Sequence, residues 1–165
     1  MKFTSMKFTS MFKPKTYDWK FGSRSLQKLE GVDKNLVDVC HLALKYSPID
    51  FGITCGVRTQ AEQNQLRIQG KSHVKHSRHQ DGMAVDVVAY VDGQVSWDIE
   101  HYIVIAEAFS KASKELNVTI RWGGAWTHPL IQYSGREAYE AYIDIRKSQG
   151  KKVFIDGPHF EIPKQ

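Results

Sequence analysis

The chain has only two cysteines, Cys40 and Cys55, among its 165 residues. Two cysteines cannot form the dense disulfide framework that replaces a hydrophobic core in small secreted domains. Both lie in apolar patterns, so we expect buried free thiols, with one disulfide bond as the alternative. A chain of this length suits a single domain with a core large enough to fold alone.

Long apolar segments are also missing. No stretch is long and apolar enough to span a bilayer, and the N-terminus lacks the apolar centre of a secretory signal. The first ten residues instead read Met-Lys-Phe-Thr-Ser twice. We interpret this duplication as an artefact of the start site or of cloning, with a cationic arm that touches membrane as the alternative. The expected organisation is an N-terminal arm over 1–22 and one domain over 23–165.

The sequence lacks the motifs of two common kinds of active site. There is no Gly-x-Ser-x-Gly motif for a serine nucleophile, and no glycine-rich loop for binding phosphate. Lysine and arginine outnumber aspartate and glutamate by 23 to 18, which gives a net charge of +5. This charge favours polyanionic surroundings such as nucleic acid, anionic lipid or cell-wall polymer. Because no long arginine-rich run is present, we expect no nucleic-acid partner.

Helical and strand-like patterns are mixed along the chain, with short links between them. This mixture predicts an α+β domain with a small, largely antiparallel sheet flanked by helices. A capping pattern or a proline marks several helix ends, and an Asp-Gly pair predicts a hairpin at 92–93. Ser23 is expected to cap a short turn over 23–29. The predicted helices are 33–47, 59–69, 98–116 and 134–150, and the predicted strands are 51–55, 84–90, 94–97, 118–122, 153–155 and 159–162.

Residues 77–86 read Ser-Arg-His-Gln-Asp-Gly-Met-Ala-Val-Asp and carry two good zinc ligands, His79 and Asp86. Gly82 permits a backbone turn between them. Asp86 lies in a strand of buried character, where a carboxylate is costly unless it is paired or bound to a cation. Zinc peptidase sites use three protein ligands, and His159, in Asp-Gly-Pro-His, is the best candidate for the third.

The pattern Ser-x-His-x-x-Gly-x-Ala-x-Asp, followed far downstream by Asp-x-x-His, resembles that of a known zinc peptidase superfamily. This superfamily contains D,D-carboxypeptidases and L-alanyl-D-glutamate endopeptidases, including the vancomycin-resistance D,D-peptidases and many phage endolysins. The Asp-x-x-His form and the Arg-Trp-Gly-Gly-x-Trp stretch at 121–126 look most like the phage endolysins. The similarity runs from about Ser47 to Ile162 and implies the fold of the hedgehog and D,D-peptidase group.

The resemblance also implies roles for individual residues. Zn²⁺ would be held by His79, Asp86 and His159, and Asp156 would be the catalytic base. Arg58 would orient the substrate, either by stabilising the oxyanion or by gripping a substrate carboxylate. The sequence leaves both roles of Arg58 open.

Several neighbouring residues have two interpretations each. Glu161 is a rival for the role of general base, or it hydrogen-bonds a ligand histidine. Trp122 and Trp126 line the substrate cleft or belong to the core. Ser77 shapes the loop before His79, and its hydroxyl is a candidate substrate contact.

Two further histidines and one alanine in these regions have less support. His73 and His76 precede His79 at three-residue intervals. They are secondary ligands, substrate contacts or, as we favour, solvated loop residues. Many members of the superfamily carry a polar residue where this chain has Ala125, so the role of that loop stays open.

These observations predict a zinc-dependent peptidase of bacterial peptidoglycan that cuts the L-alanyl-D-glutamate bond of stem peptides. The rivals are a D-alanyl-D-alanine carboxypeptidase and a zinc-holding binding module without turnover. We expect a monomer that is made in the host cytoplasm. The resemblance implies that it reaches the wall or periplasm when a holin permeabilises the membrane.

Overall fold

In a computed structural model, which describes residues 13–165, helices pack against one antiparallel sheet whose strands differ in length. This confirms the α+β prediction. The helices are α1 Ser23–Leu29, α2 Lys34–Tyr46, α3 Gln60–Ile68, α4 Ile99–Leu116 and α5 Gly135–Ser148. The strands are β1 Asp50–Cys55, β2 Ala84–Val91, β3 Gln94–Ser96, β4 Arg121–Trp122 and β5 His159–Glu161.

The helix starts follow the capping residues in the sequence. The Asp33 side chain caps α2 by accepting two backbone N–H groups, and the Asp98 side chain caps α4 by accepting one. Thr59 and Ser134 form the predicted capping boxes, with glutamates three residues later, at the starts of α3 and α5. The short turn predicted over 23–29 is the helix α1, and its N-cap is Gly22 rather than the predicted Ser23.

The sheet has the order β1-β2-β5-β4, and β3 pairs with β2 beside this path. All pairings are antiparallel. The predicted hairpin between β2 and β3 is present, and both of its turn residues, Asp92 and Gly93, have positive φ. Since β2 has partners on both sides, it forms the centre of the sheet.

One face of this sheet forms the hydrophobic core with α2 and α4. Phe51 of β1 and Phe160 of β5 both pack against Phe109 of α4, with ring centroids 5.7 and 3.9 Å away. Val85 and Val87 of β2 are fully buried on the same side. Because side chains alternate along a strand, Asp86 of β2 and His159 of β5 point to the opposite face.

The register of β1 changes between Ile53 and Cys55. Ile53 pairs with Val87, and Cys55 pairs with Asp86, so the intervening Thr54 is an extra residue in β1. Such a bulge turns the following side chain to the other face of the sheet. The sequence pattern placed Cys55 on the buried face with Ile53, and the bulge instead places it beside Asp86.

One predicted strand is shorter than its pattern suggested, and another is absent. Of the residues 118–122, only Arg121 and Trp122 form a strand, because their partner β5 is itself three residues long. Residues 153–155 form no strand. The carbonyl of Phe154 accepts hydrogen bonds from the Trp126 and Tyr142 side chains instead of a neighbouring strand.

The part of the arm that is described, residues 13–22, lies against α2 and the residues that follow it. The Trp19 indole donates to the Ser47 carbonyl at 3.0 Å, and the backbone N–H of Tyr17 donates to Lys45 at 2.8 Å. The duplicated pentapeptides lie outside the described residues, and the division into arm and domain stays a prediction. Within 13–165, no helix has the length and apolar character required to cross a membrane.

Candidate metal centre and active site

The strand register brings three chemically active side chains side by side on the open face of the sheet. Asp86 of β2 pairs with Cys55 on one side and with His159 on the other. Directly opposite residues of antiparallel strands project to the same face. His159 is 73 residues from Asp86 in the chain, yet its Nδ1 lies 3.2 Å from Asp86 Oδ1.

His79 reaches the same carboxylate from the loop before β2. Its Nε2 lies 3.3 Å from Asp86 Oδ2, and its ring is 5.2 Å from that of His159 between centroids. Its Nδ1 is 2.8 Å from the carbonyl oxygen of Gly56, and that oxygen can only accept a hydrogen bond. Nδ1 therefore carries the proton in the neutral ring, and the lone pair of Nε2 faces Asp86.

Gly82 gives the His79 loop its shape. It has a φ of +70°, and an added Cβ would lie 2.8 Å from the carbonyl oxygen of Gly31. Its own carbonyl accepts the Asp33 N–H at 2.8 Å, which joins the loop to the start of α2. The glycine of the sequence pattern is thus required by both backbone conformation and close packing.

The charges of the cluster are strongly coupled. Burial acts to raise the pKa of Asp86, but hydrogen bonds from His159 and His79 outweigh it and hold this pKa well below its usual range. Burial acts to lower the pKa values of both histidines. Hydrogen bonds to Asp86 outweigh that effect and raise the pKa of His79 to about 10 and that of His159 to about 9. A site that draws two positive charges to one carboxylate is one where a divalent cation can replace two protons.

Arg58 lies in the link between β1 and α3, as its place in the sequence predicted. Its Nη1 donates to Gln63 Oε1 at 2.8 Å, and its Nη2 lies 3.8 Å from Asp86 Oδ2. Gln63 is fully buried, and its amide nitrogen donates to Ser72 and to the Val74 carbonyl. The guanidinium is therefore held beside the centre by a side chain that sequence reasoning missed. A glutamine on the buried face of α3 was the available signal.

Asp156 lies in the turn before β5 and is half-buried. Its backbone N–H donates to Gly123 and its carbonyl oxygen accepts from His159, at 2.8 and 3.1 Å. An added Cβ on Gly123 would lie 2.1 Å from the Asp156 carbonyl oxygen, so this contact requires glycine. Burial, followed by the negative charge of Asp86, raises the pKa of Asp156. The turn thus places a second carboxyl group near the cluster.

The two tryptophans differ in position. Trp122 is fully buried, and its indole donates to the Gly157 carbonyl at 2.7 Å. It therefore supports the Asp156 turn from the core. The prediction that Trp122 lines the substrate cleft is wrong, because its side chain is fully buried. Trp126 is partly exposed, and its ring centroid lies 5.4 Å from that of His159. Ala125 between them is buried.

The remaining predicted loop residues are arranged around His79. Ser77 is buried, and its hydroxyl accepts the His79 N–H at 3.2 Å and lies 3.5 Å from Arg58 Nη1. This geometry favours its role in shaping the loop, while contact with substrate stays a prediction. His73 and His76 are exposed, and His76 pairs with Asp81 at 2.6 Å. Both fit the solvated interpretation.

Glu161 has a different environment from Asp156. It is buried, and Arg121 holds its Oε1 with two nitrogens, each at 2.8 Å. A general base must reach a proton of the substrate or of the attacking water. The half-buried Asp156 suits that role better than the enclosed Glu161.

Cys55, together with His79 and Asp86, forms an alternative set of metal ligands that the sequence did not indicate. Candidate ligand atoms of Cys55, His79 and Asp86 all lie within 4.8 Å of one another. However, the Cys55 Sγ is 3.7 Å from His79 Nδ1, the nitrogen that donates to Gly56. The thiol therefore lies on the protonated side of the His79 ring, whereas Asp86 lies on the side of the free lone pair. Neither Cys55 nor Cys40 forms a disulfide bond.

Two comparisons of the sequence with known proteins identify its relatives. The chain matches the phage L-alanyl-D-glutamate peptidase family over residues 17–162. It is 38% identical over 112 residues to the L-alanyl-D-glutamate peptidase of Escherichia phage T5, a match that covers 66% of this chain and 82% of that protein.

A solved structure is similar over nearly the same region. The crystal structure of the Serratia marcescens L-Ala D-Glu endopeptidase ChiX matches with a TM-score of 0.69 and 34% identity. The match covers 88% of this chain and 92% of ChiX. With most of its length matched in sequence and in fold, the chain belongs to the phage L-alanyl-D-glutamate peptidase family.

Proposed function

We propose that this protein is a zinc-dependent endopeptidase that hydrolyses the L-alanyl-D-glutamate bond in the stem peptides of bacterial peptidoglycan. The bond is the one named for the family and for the relative in phage T5. The observation that carries the metal part of the proposal is the position of Asp86. Its two oxygens lie 3.3 Å from His79 Nε2 and 3.2 Å from His159 Nδ1.

The donor set fits zinc. Two imidazole nitrogens and one carboxylate match the three protein ligands of many catalytic zinc sites, which leave a fourth position for water. The Gly56 carbonyl fixes the tautomer of His79 that offers Nε2 as a ligand atom. We therefore propose His79, Asp86 and His159 as the ligands, rather than a set that contains Cys55. A bound zinc ion would supply a Lewis acid that lowers the pKa of a coordinated water from about 15.7 towards 7.

The chain itself would supply the proton transfers and the positioning. Asp156 would accept a proton from the attacking water and pass it to the amine of the departing D-glutamate. The half-buried carboxyl group with a raised pKa supports this role, because a more basic carboxylate accepts a proton more readily. Arg58, which is anchored by Gln63, would stabilise the negative charge that develops on the carbonyl oxygen of L-alanine or would bind a substrate carboxylate.

The surroundings of the enzyme are also part of the proposal. The net charge of +5 favours attraction to the anionic polymers of the wall. Trp126, partly exposed beside His159, would contact the substrate. We further propose that the protein acts as a monomer, and that a holin gives it access to the wall from the cytoplasm in which it is made.

Digestion of purified sacculi tests the proposal. Sacculi are incubated with zinc-loaded protein, and mass spectrometry identifies the new amino termini. We expect fragments that begin with D-glutamate. We also expect the protein to stop producing them when zinc is chelated. Release of free D-alanine would instead identify a carboxypeptidase. Stoichiometric zinc binding without any new terminus would identify a binding module, and either result would overturn the proposal.

A further inference from the structure

Glu161 is a buried carboxylate directly behind the candidate ligand His159. It is 2% exposed and lies two residues after His159 in β5, so both side chains project from the same face of the sheet. Its Oε1 accepts from Arg121 and lies 3.7 Å from His159 Nε2. Its Oε2 has no hydrogen-bond partner, although Arg78 Nε is 3.8 Å away.

This arrangement is costly for the fold. A buried carboxylate loses its hydration, and an unpaired oxygen leaves part of that loss uncompensated. A buried ion pair adds little net stability compared with apolar residues of the same size. Stability alone therefore does not explain the Glu161–Arg121 pair. The other neighbour of Glu161 is the His159 imidazole, which lies between Glu161 and Asp86.

The His159 ring lies between two carboxylates. Nδ1 faces Asp86 at 3.2 Å and Nε2 faces Glu161 at 3.7 Å, while the Trp126 ring packs beside it at 5.4 Å between centroids. A histidine that binds a metal through one nitrogen usually donates the N–H of the other to a carboxylate or carbonyl. Hydrogen bonds in active sites are often long in a structure without substrate and tighten in the reacting complex.

We propose that Glu161 is a positioning residue that holds His159 in the tautomer with the proton on Nε2 and the lone pair of Nδ1 towards Asp86. Arg121 keeps the Glu161 carboxylate in place from the other side. His79 obtains the same control from the Gly56 carbonyl, so each imidazole has its own acceptor on the side away from Asp86. The inference rests on the proposed function, because it assigns Glu161 to the same metal site.

Zinc affinity of the Glu161→Gln variant tests the inference. We expect the dissociation constant, measured by competition with a chelating dye, to rise about 10- to 100-fold. Activity should return to within roughly tenfold of wild type at saturating zinc, because Glu161 is enclosed by protein and would act only through His159. The matched control is Glu115→Gln, which removes a carboxylate that accepts from Tyr46 in the contact between α2 and α4. Its zinc affinity should equal that of wild type.

A measurement on the wild-type protein avoids dependence on a variant that fails to fold. Long-range ¹H–¹⁵N correlation spectra of the zinc-loaded protein report which imidazole nitrogen carries the proton. We expect Nε2–H for His159 and Nδ1–H for His79. Two results would overturn the inference: a proton on Nδ1 of His159, or an unchanged zinc dissociation constant in folded Glu161→Gln. Either result leaves the proposed function intact if the wild-type protein still cleaves sacculi with zinc. Wild-type protein that neither binds zinc nor cleaves sacculi would instead refute the proposed function.

Discussion

Asp86 lies between two imidazole rings, and each ring has its second nitrogen directed to another acceptor. His79 donates to the Gly56 carbonyl at 2.8 Å, and His159 faces Glu161 at 3.7 Å. In each case one nitrogen is left to face the Asp86 carboxylate. Since zinc binds neutral imidazole through a lone pair, these outer contacts select the ligand atoms as much as the ligand residues do.

Two substitutions distinguish the competing ligand sets at this scale. We expect His159→Ala to lose most of its bound zinc, because one of three ligands is removed. Cys55→Ser should keep about one zinc per chain, because the thiol faces the protonated nitrogen of His79. Metal content of the purified variants, measured by atomic emission, checks this. Loss of zinc in Cys55→Ser, with zinc retained in His159→Ala, would assign Cys55 as the third ligand.

The proton-transfer role of Asp156 is tested separately from metal binding. Asp156→Asn keeps the shape of the side chain but cannot accept a proton, so we expect kcat to fall about 100- to 10,000-fold. Zinc content should remain at the wild-type level. Asp144→Asn, in the middle of α5, is the matched control and should keep full activity. Wild-type turnover by Asp156→Asn would remove Asp156 from the mechanism.

At the scale of single elements, short features of the backbone place the site residues. The bulge in β1 turns Cys55 towards Asp86, and the contact between Gly123 and the Asp156 carbonyl fixes the turn before β5. Helix α3 begins two residues after Arg58 and supplies Gln63, which holds the guanidinium. The Thr59 cap fixes the start of α3, and α3 in turn places Gln63 where it holds Arg58 in the active site.

The cap of α3 makes a measurable contribution to stability. Thr59→Ala removes the hydroxyl that accepts the Glu62 N–H, and we expect the free energy of unfolding to fall by about 1 kcal/mol. Urea denaturation monitored by circular dichroism measures this change. Thr119→Ala, at an exposed position between α4 and β4, is the control and should stay within about 0.5 kcal/mol of wild type. Equal midpoints for the two variants would contradict the role of the cap.

At the scale of the whole molecule, the site joins parts of the chain that are remote in sequence. His79 comes from a loop, Asp86 from the central strand and His159 from the last strand, and 73 residues separate the latter two. A cation bound to all three connects these segments in the folded state. No such arrangement exists in the unfolded chain, so binding must stabilise the fold.

Zinc should therefore raise the melting temperature of the whole protein. At a free zinc concentration of roughly 1,000 times Kd, binding contributes about 4 kcal/mol, which corresponds to a rise in Tm of roughly 8–16 °C. Differential scanning calorimetry with zinc and with a chelator measures the shift. We expect the shift to persist in Asp156→Asn and to vanish in His79→Ala. An equal shift in His79→Ala would place the bound zinc elsewhere.

Local signals in the sequence determined the helix starts, the hairpin and the α+β class, because capping residues, an Asp-Gly pair and apolar periodicity act over a few residues. The two short motifs that carry His79 with Asp86 and His159 are also local, and by resemblance they indicated a metal site and a family. Only the tertiary structure decided that Trp122 is buried, that Cys55 faces the site, and that Glu161 lies behind His159. These depend on strand register and on a bulge, and both are set by pairing between segments far apart in the chain.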